Sequence, residues 1–114
     1  MTRRQTQEPT VIRYIGSAQK LAGLSHSGFV AGDLHFSGCV LREDAPSGEV
    51  TFVGCVRVTG EAGDITGRPG APETAAETFS PSREAGDWDA SIRAAALAAD
   101  ALASRAAAGW SVAQ

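Results

Sequence analysis

The sequence predicts an α+β fold in which a small antiparallel β-sheet of three or four strands is covered by one long C-terminal helix. Two observations lead to this prediction. A ten-residue block occurs twice, at 32–41 and 48–57, with glycine, phenylalanine, cysteine and valine in register, and both copies alternate apolar and polar residues as strands do. The segment 88–108 contains no glycine or proline and is rich in alanine, which is typical of a helix.

The length of 114 residues indicates a single domain. We expect residues 1–9 to form a mobile arm, residues 10–109 to fold as the α+β domain, and residues 110–114 to be a tail. Within the domain, residues 60–86 are rich in glycine, proline and small polar residues, so we expect a long irregular connection there.

Three segments alternate apolar and polar residues as β-strands do, at 10–15, 29–41 and 49–59. In the second and third of these, the apolar residues fall at even positions. These even-numbered apolar residues are Leu34, Phe36, Val40, Val50, Phe52, Val56 and Val58. Gly38 and Gly54 share their face, so we expect the even face to be the core and to need a cover.

The C-terminal helix supplies that cover. Asp87 is a suitable N-cap, and Gly109 is expected to close the helix. One stripe of the helix is apolar and mostly alanine, and it consists of Trp88, Ile92, Ala95, Ala99, Leu102 and Ala106. Because alanine side chains are short, this stripe allows the helix to approach the sheet closely at Gly38 and Gly54.

The repeat can form an antiparallel hairpin around residues 43–49, where a Pro-Ser-Gly cluster provides suitable turn residues. The symmetric register of this hairpin pairs Phe36 with Val56, Gly38 with Gly54 and Val40 with Phe52. Cys39 and Cys55 are then diagonal neighbours, which is too far for good disulfide geometry.

Alternatively, the two blocks are parallel rungs of a short β-solenoid that carries a C-terminal helix. The segment Gly48–Gly60, followed by Gly63–Ile65, resembles a rung of the bactofilins, bacterial β-helical proteins that polymerise into filaments, and Gly32–Val40 resembles a second copy. The resemblance implies that Phe36 stacks on Phe52. We favour the hairpin because solenoids need about three stacked repeats for stability.

Candidate chemistry centres on the cysteines. His35, Cys39 and Cys55 are the candidate metal ligands, because imidazole and thiolate groups bind zinc. Their spacing matches no compact zinc motif, and residues four apart on one strand are separated by roughly 13 Å, so we expect no metal and no cofactor. No helix N-terminus or adjacent cation activates a cysteine, so no catalytic residue is predicted. We expect the thiols to pack as small groups beside glycine.

Composition argues against several partners and locations. The net charge is −3, and no basic stripe indicates nucleic-acid binding. No leader or long apolar span is present, so we expect a cytoplasmic chain that does not bind membranes and keeps its cysteines reduced. Arginine far outnumbers lysine and alanine is abundant, which is typical of a GC-rich bacterial genome.

These observations predict a non-enzymatic interaction or regulatory accessory protein of bacterial or phage origin, which acts on a protein partner or forms a homodimer. The candidate interaction residues are Leu97, Arg93 and Asp100 on the helix and Arg57 on the sheet. The alternatives are a polymer-forming β-solenoid of bactofilin type and a small metal- or thiol-dependent enzyme.

Overall fold

The structure of the protein is a computed structural model, and it describes residues 8–81 and 87–113. An antiparallel β-sheet and one long C-terminal helix make up the fold, which confirms the predicted α+β class. The elements are β1 (Val11–Ser17), α1 (Ala18–Ala22), β2 (Phe29–Ala31), β3 (Leu34–Asp44), β4 (Val50–Gly60), β5 (Gly63–Asp64), β6 (Ala76–Phe79) and α2 (Asp87–Ala113). The described residues thus form six strands rather than three or four, and three of the six are only two to four residues long.

The long hairpin of β3 and β4 is the centre of the sheet. Strands β1 and β2 both pair with the free side of β3, with β1 at its C-terminal half and β2 at its N-terminal half. Strands β5 and β6 divide the free side of β4 in the same way. Residues 29–41, predicted as one strand, are divided into β2 and β3 by a turn at Gly32, which has a φ of +61° that favours glycine.

The hairpin register differs by two residues from the predicted one. Its central pairs are Phe36 with Val58, Gly38 with Val56, Cys39 with Cys55, and Val40 with Gly54. The reason is the loop: Ala45 N–H donates to the Glu49 carbonyl at 2.9 Å, so only residues 45–49 lie outside the ladder. Because the shift is an even number, every side chain stays on its predicted face.

The antiparallel pairing of β3 and β4 also rules out the stacked-rung arrangement for the repeat. Phe36 lies opposite Val58 rather than on Phe52, and the two phenylalanines belong to separate clusters of buried residues. The resemblance to a bactofilin rung therefore does not extend to the fold.

Helix α2 crosses the hairpin at its two glycines. A Cβ atom added to Gly38 would lie 2.8 Å from the backbone carbon of Ala99, and one added to Gly54 would collide with the carbonyl oxygen of Ala95. Backbone is therefore packed directly on backbone here, as the alanine stripe and the glycines predicted.

The core lies in two clusters on either side of this crossing. The first consists of Ala18, Ala22, Val40, Phe52, Ala95, Ala96 and Ala99. The second consists of Ala31, Phe36, Val56, Val58, Leu102, Ala103 and Ala107. Phe36, Phe52, Val40 and Val58 are the largest fully buried side chains, which confirms the even face of the strands as the core face.

Helix α2 does not end at Gly109 as predicted but continues to Ala113. Trp110 packs against the second cluster, so the helical conformation places an aromatic side chain on the core. The predicted irregular connection at 60–86 contains β5 and β6, and Phe79 packs against the first cluster. Residues 82–86 of this connection, and residues 1–7 of the predicted arm, lie outside the described residues.

Replacement of Gly54 by alanine should destabilise the fold by about 1–3 kcal/mol, because the new methyl group meets the backbone of α2 and forces the helix away from the sheet. The matched control is Gly109→Ala. No atom lies within 4 Å of a Cβ there, so this change should stabilise the helix by up to about 1 kcal/mol. Urea unfolding of both variants measures the difference, and equal stability of the two would contradict the close approach.

Candidate functional site

The sheet face that points away from α2 is formed by the odd positions of β3 and β4 and, on β1, by Ile12, Tyr14 and, beyond the bulge, Ser17; we call it the outer face. On this face Cys39 lies directly opposite Cys55, and their Sγ atoms are 3.1 Å apart. Both cysteines are free thiols. The prediction of diagonal cysteines, too far apart for a disulfide, is therefore wrong, and the cause is the register shift set by the 45–49 loop.

The two thiols are not equivalent. Cys55 Sγ lies 3.7 Å from the carbonyl oxygen of Cys39 as well as near Cys39 Sγ, so the Cys55 S–H points toward acceptors on Cys39. The hydrogen bond between the two thiols is the main reason that the pKa of Cys39 is lowered to about 7, and Arg57 lowers it further, whereas burial and Asp64 oppose the shift. The pKa of Cys55 is raised, because it donates to Cys39 and because it is partly buried.

A cation–π contact covers Cys39. The register places Tyr14 opposite Leu41 and Arg57 opposite Ser37, one on each side of Cys39 along β3. The Arg57 guanidinium carbon nevertheless lies 5.5 Å from the centre of the Tyr14 ring, so the two side chains meet across Cys39. Cys39, which also has Ser17 and Cys55 directly opposite it on the neighbouring strands, is only 8% exposed, although it lies on the face opposite the helix.

Arg57 also forms an ion pair with Asp64. The Arg57 Nε atom lies 3.3 Å from Asp64 Oδ2. Asp64 in turn accepts hydrogen bonds from the backbone N–H and the hydroxyl of Thr66 at 2.9 and 2.7 Å, and these bonds hold the pKa of its carboxyl group below the usual range. Thr66 is anchored to the sheet because its hydroxyl accepts from Val58 N–H at 2.7 Å.

The candidate metal ligands do not come together. His35 lies opposite Thr59 on one side and Val30 on the other, four positions along β3 from Cys39. The described residues contain no group of three or more His, Cys, Asp or Glu side chains arranged to hold a metal ion.

A second candidate site is the outer edge of β1, at its first four residues. Val11, Ile12 and Tyr14 are 46%, 58% and 54% exposed, and Arg13 lies between them. Among the described residues, β1 pairs only with β3, so its other side carries no strand. We call Val11–Tyr14 the β1 edge surface. Ile15, where the ladder is interrupted by a bulge, marks its end.

A groove of about 490 Å³ continues from this edge toward α1. It is lined by Tyr14, Ile15, Gly16, Ser17, Gln19, Lys20 and Leu24. The sequence predicts the strand at 10–15 but not the exposure of its first residues on both faces. The signal was present in Val-Ile-Arg-Tyr, where large apolar residues occur at both odd and even positions and no single buried face can accommodate them.

Two of the predicted interaction residues, Arg93 and Asp100, contact the chain's own α1–β2 segment. Arg93 Nη1 donates to the carbonyl of Ala22 at 3.4 Å. Asp100 Oδ1 lies 3.1 Å from Nε2 of His26. Because the other ring nitrogen of His26 accepts from Gly28 N–H, Nε2 carries the proton that is shared with Asp100.

The other two predicted interaction residues lie on different sides of the protein. Leu97 is 44% exposed on the back of α2, while Arg57 is on the outer face of the sheet. The four predicted residues therefore do not form one continuous surface.

Among the described residues, none of the helices combines the length and the hydropathy of a membrane-spanning segment. Comparison of the chain with protein-family models, curated proteins and solved structures gave no match.

Removal of the Cys55 thiol should raise the pKa of Cys39. In Cys55→Ala, the largest cause of the lowered pKa is lost, so the pKa of the Cys39 thiol should rise above about 7. Thiolate absorbance in the ultraviolet, followed against pH, measures this shift.

The same shift has a consequence for stability. A pKa that is lower in the folded chain stabilises the fold as pH rises from about 7 toward the ordinary thiol pKa, and this stabilisation is lost on acidification. Unfolding free energies at pH 6 and 8, compared between the native chain and Cys55→Ala, should therefore diverge at the higher pH. If the unfolding free energies of the two proteins changed with pH in the same way, Cys55 would not lower the pKa of Cys39.

Proposed function

We propose that this chain is a non-enzymatic protein-interaction domain that acts through the β1 edge surface, and that this surface pairs with β1 of a second copy. The observation that carries the proposal is the exposure of three large apolar side chains within four consecutive residues of an edge strand.

The backbone of β1 supports this proposal. A strand paired on one side only presents a row of N–H and C=O groups on the other, and these groups match any extended backbone that is laid beside them. Natural edges are often protected by proline or by several charges. The β1 edge surface has no proline and only one charged residue, Arg13. Pairing through backbone hydrogen bonds is therefore open to it.

The side chains indicate the same surface. Ile12 and Tyr14 project from the outer face, because they lie opposite Glu43 and Leu41 of β3, whereas Val11 projects from the other face. An added strand would cover apolar area on both faces. The other exposed large apolar residues of the described chain, such as Leu97 on α2, are far from one another in the sequence.

A second copy is a suitable occupant because β1 already has the required extended shape. A two-fold axis through Ile12 places this residue opposite itself and Val11 opposite Arg13 of the second copy. An axis through Arg13 would instead place two guanidinium groups face to face, which is unfavourable. Four residues span only about 13 Å, so we expect a weak dimer that forms at high protein concentration.

The Ile12→Lys variant should weaken this association. The change removes apolar contact from both copies and places two ammonium groups opposite each other, so dimerisation should weaken at least about tenfold, which corresponds to about 1.4 kcal/mol. Sedimentation velocity over a concentration series that reaches the millimolar range measures the effect, and circular dichroism checks the fold.

Leu97→Lys is the matched control, because it adds the same charge at an exposed apolar residue on α2. It should dimerise as the native chain does. A native chain that stays monomeric throughout, or dimers that are lost in Leu97→Lys and retained in Ile12→Lys, would overturn the proposal.

A further inference from the structure

We propose that Cys39 and Cys55 form a reversible oxidation site, in which a hydroperoxide converts the two thiols into a disulfide across the β3–β4 hairpin and a dithiol reductant restores them. This inference goes beyond the proposed interaction function and does not depend on it, because both cysteines lie in the central hairpin rather than in the β1 edge surface.

The geometry of the pair needs little change to form the bond. Directly opposed residues of antiparallel strands have Cα atoms about 4.5–5.5 Å apart, which lies within the range of natural disulfides. The Sγ atoms are already 3.1 Å apart, and a disulfide bond is about 2.05 Å long. Closure therefore requires a shift of about 1 Å between two side chains and leaves the strand register intact.

The surroundings of the two thiols differ. Cys39 Sγ lies 3.1 Å from Cys55 Sγ, and the hydrogen bond between the two thiols and the nearby charge of Arg57 both favour Cys39 as the thiolate. Its lowered pKa increases the ionised fraction of Cys39 at neutral pH. Cys55 keeps its proton, and its Sγ atom lies next to the Cys39 sulfur that is oxidised first. Cys39 is thus the nucleophile, and Cys55 resolves the intermediate.

The chemistry proceeds in two balanced steps. In the first, the Cys39 thiolate attacks the terminal oxygen of the hydroperoxide: an S–O bond forms, the O–O bond breaks, and the alkoxide takes a proton and leaves as an alcohol, or as water when the oxidant is hydrogen peroxide. In the second, the Cys55 sulfur attacks the resulting sulfenic acid, the S–S bond forms, and the hydroxyl leaves with the Cys55 proton as water. The thiols lose two electrons in total, and the peroxide gains them.

Access to Cys39 is controlled by mobile side chains. The covering Tyr14 is 54% exposed, and the Arg57 side chain is 48% exposed. Exposed side chains change rotamer within nanoseconds, so the cover opens for a small oxidant without unfolding of the sheet. Hydrogen peroxide is therefore the appropriate probe, since it is the smallest hydroperoxide.

The test is oxidation of the reduced full chain by hydrogen peroxide at neutral pH, followed by intact-mass and peptide mass spectrometry. We expect both thiols to be lost together and the mass of the chain to fall by two hydrogen atoms. A disulfide-linked peptide that contains Cys39 and Cys55 should form, and dithiothreitol should remove it.

In Cys55→Ser, the Cys39 sulfenic acid should persist and be captured by dimedone. In Cys39→Ser, the rate of thiol loss should fall at least about tenfold, because the low-pKa thiolate is absent.

Arg57→Gln keeps both thiols and changes an exposed side chain, so it tests the proposal in a chain that retains its fold. It should slow oxidation several-fold at neutral pH and yield the same cross-link, because the thiolate loses its neighbouring cation, whereas the side-chain cover opens too fast to limit the reaction. Arg105→Gln, an exposed arginine on α2, is the matched control and should react as the native chain does. Disulfides that form only between molecules, or equal oxidation rates in the native chain and Cys39→Ser, would overturn the inference.

Discussion

The direct contact between α2 and the two strand glycines is the constraint on which the rest of the structure depends. Gly38 and Gly54 have no Cβ, so the helix backbone at Ala95 and Ala99 rests on the hairpin itself. The larger side chains are thereby divided into two clusters, one on each side of the crossing, and both are closed by the same helix. Any change that lifts α2 at the crossing opens both clusters together, so the core behaves as one unit.

Burial of the even face against α2 has a direct effect on the opposite face. Because side chains alternate along a strand, the cysteines must then project outward. The tight 45–49 loop sets the register of β3 against β4, and this register brings Cys39 opposite Cys55. The thiol pair is therefore a consequence of core packing and loop length combined, and no long-range element has to position it.

Tyr14 connects the two candidate sites. Its side chain belongs to the β1 edge surface, and its ring also carries the Arg57 guanidinium that covers Cys39. The sites are adjacent on the outer face, yet they rest on different groups: backbone and apolar side chains at the edge, and two sulfur atoms in the hairpin. Binding at the edge and oxidation of the thiols can therefore be measured separately in the same protein.

The sequence by itself determined the α+β class, the buried even face, the covering helix and the clearance role of Gly38 and Gly54, because hydrophobic periodicity and residue size act locally. It also placed both cysteines on the face away from the core. Only the tertiary structure decided which residues face each other, since a two-residue change of register preserves every face and leaves no trace in the periodicity. The helix end behaved similarly: Gly109 favours termination locally, but the packing of Trp110 on the core outweighs that preference.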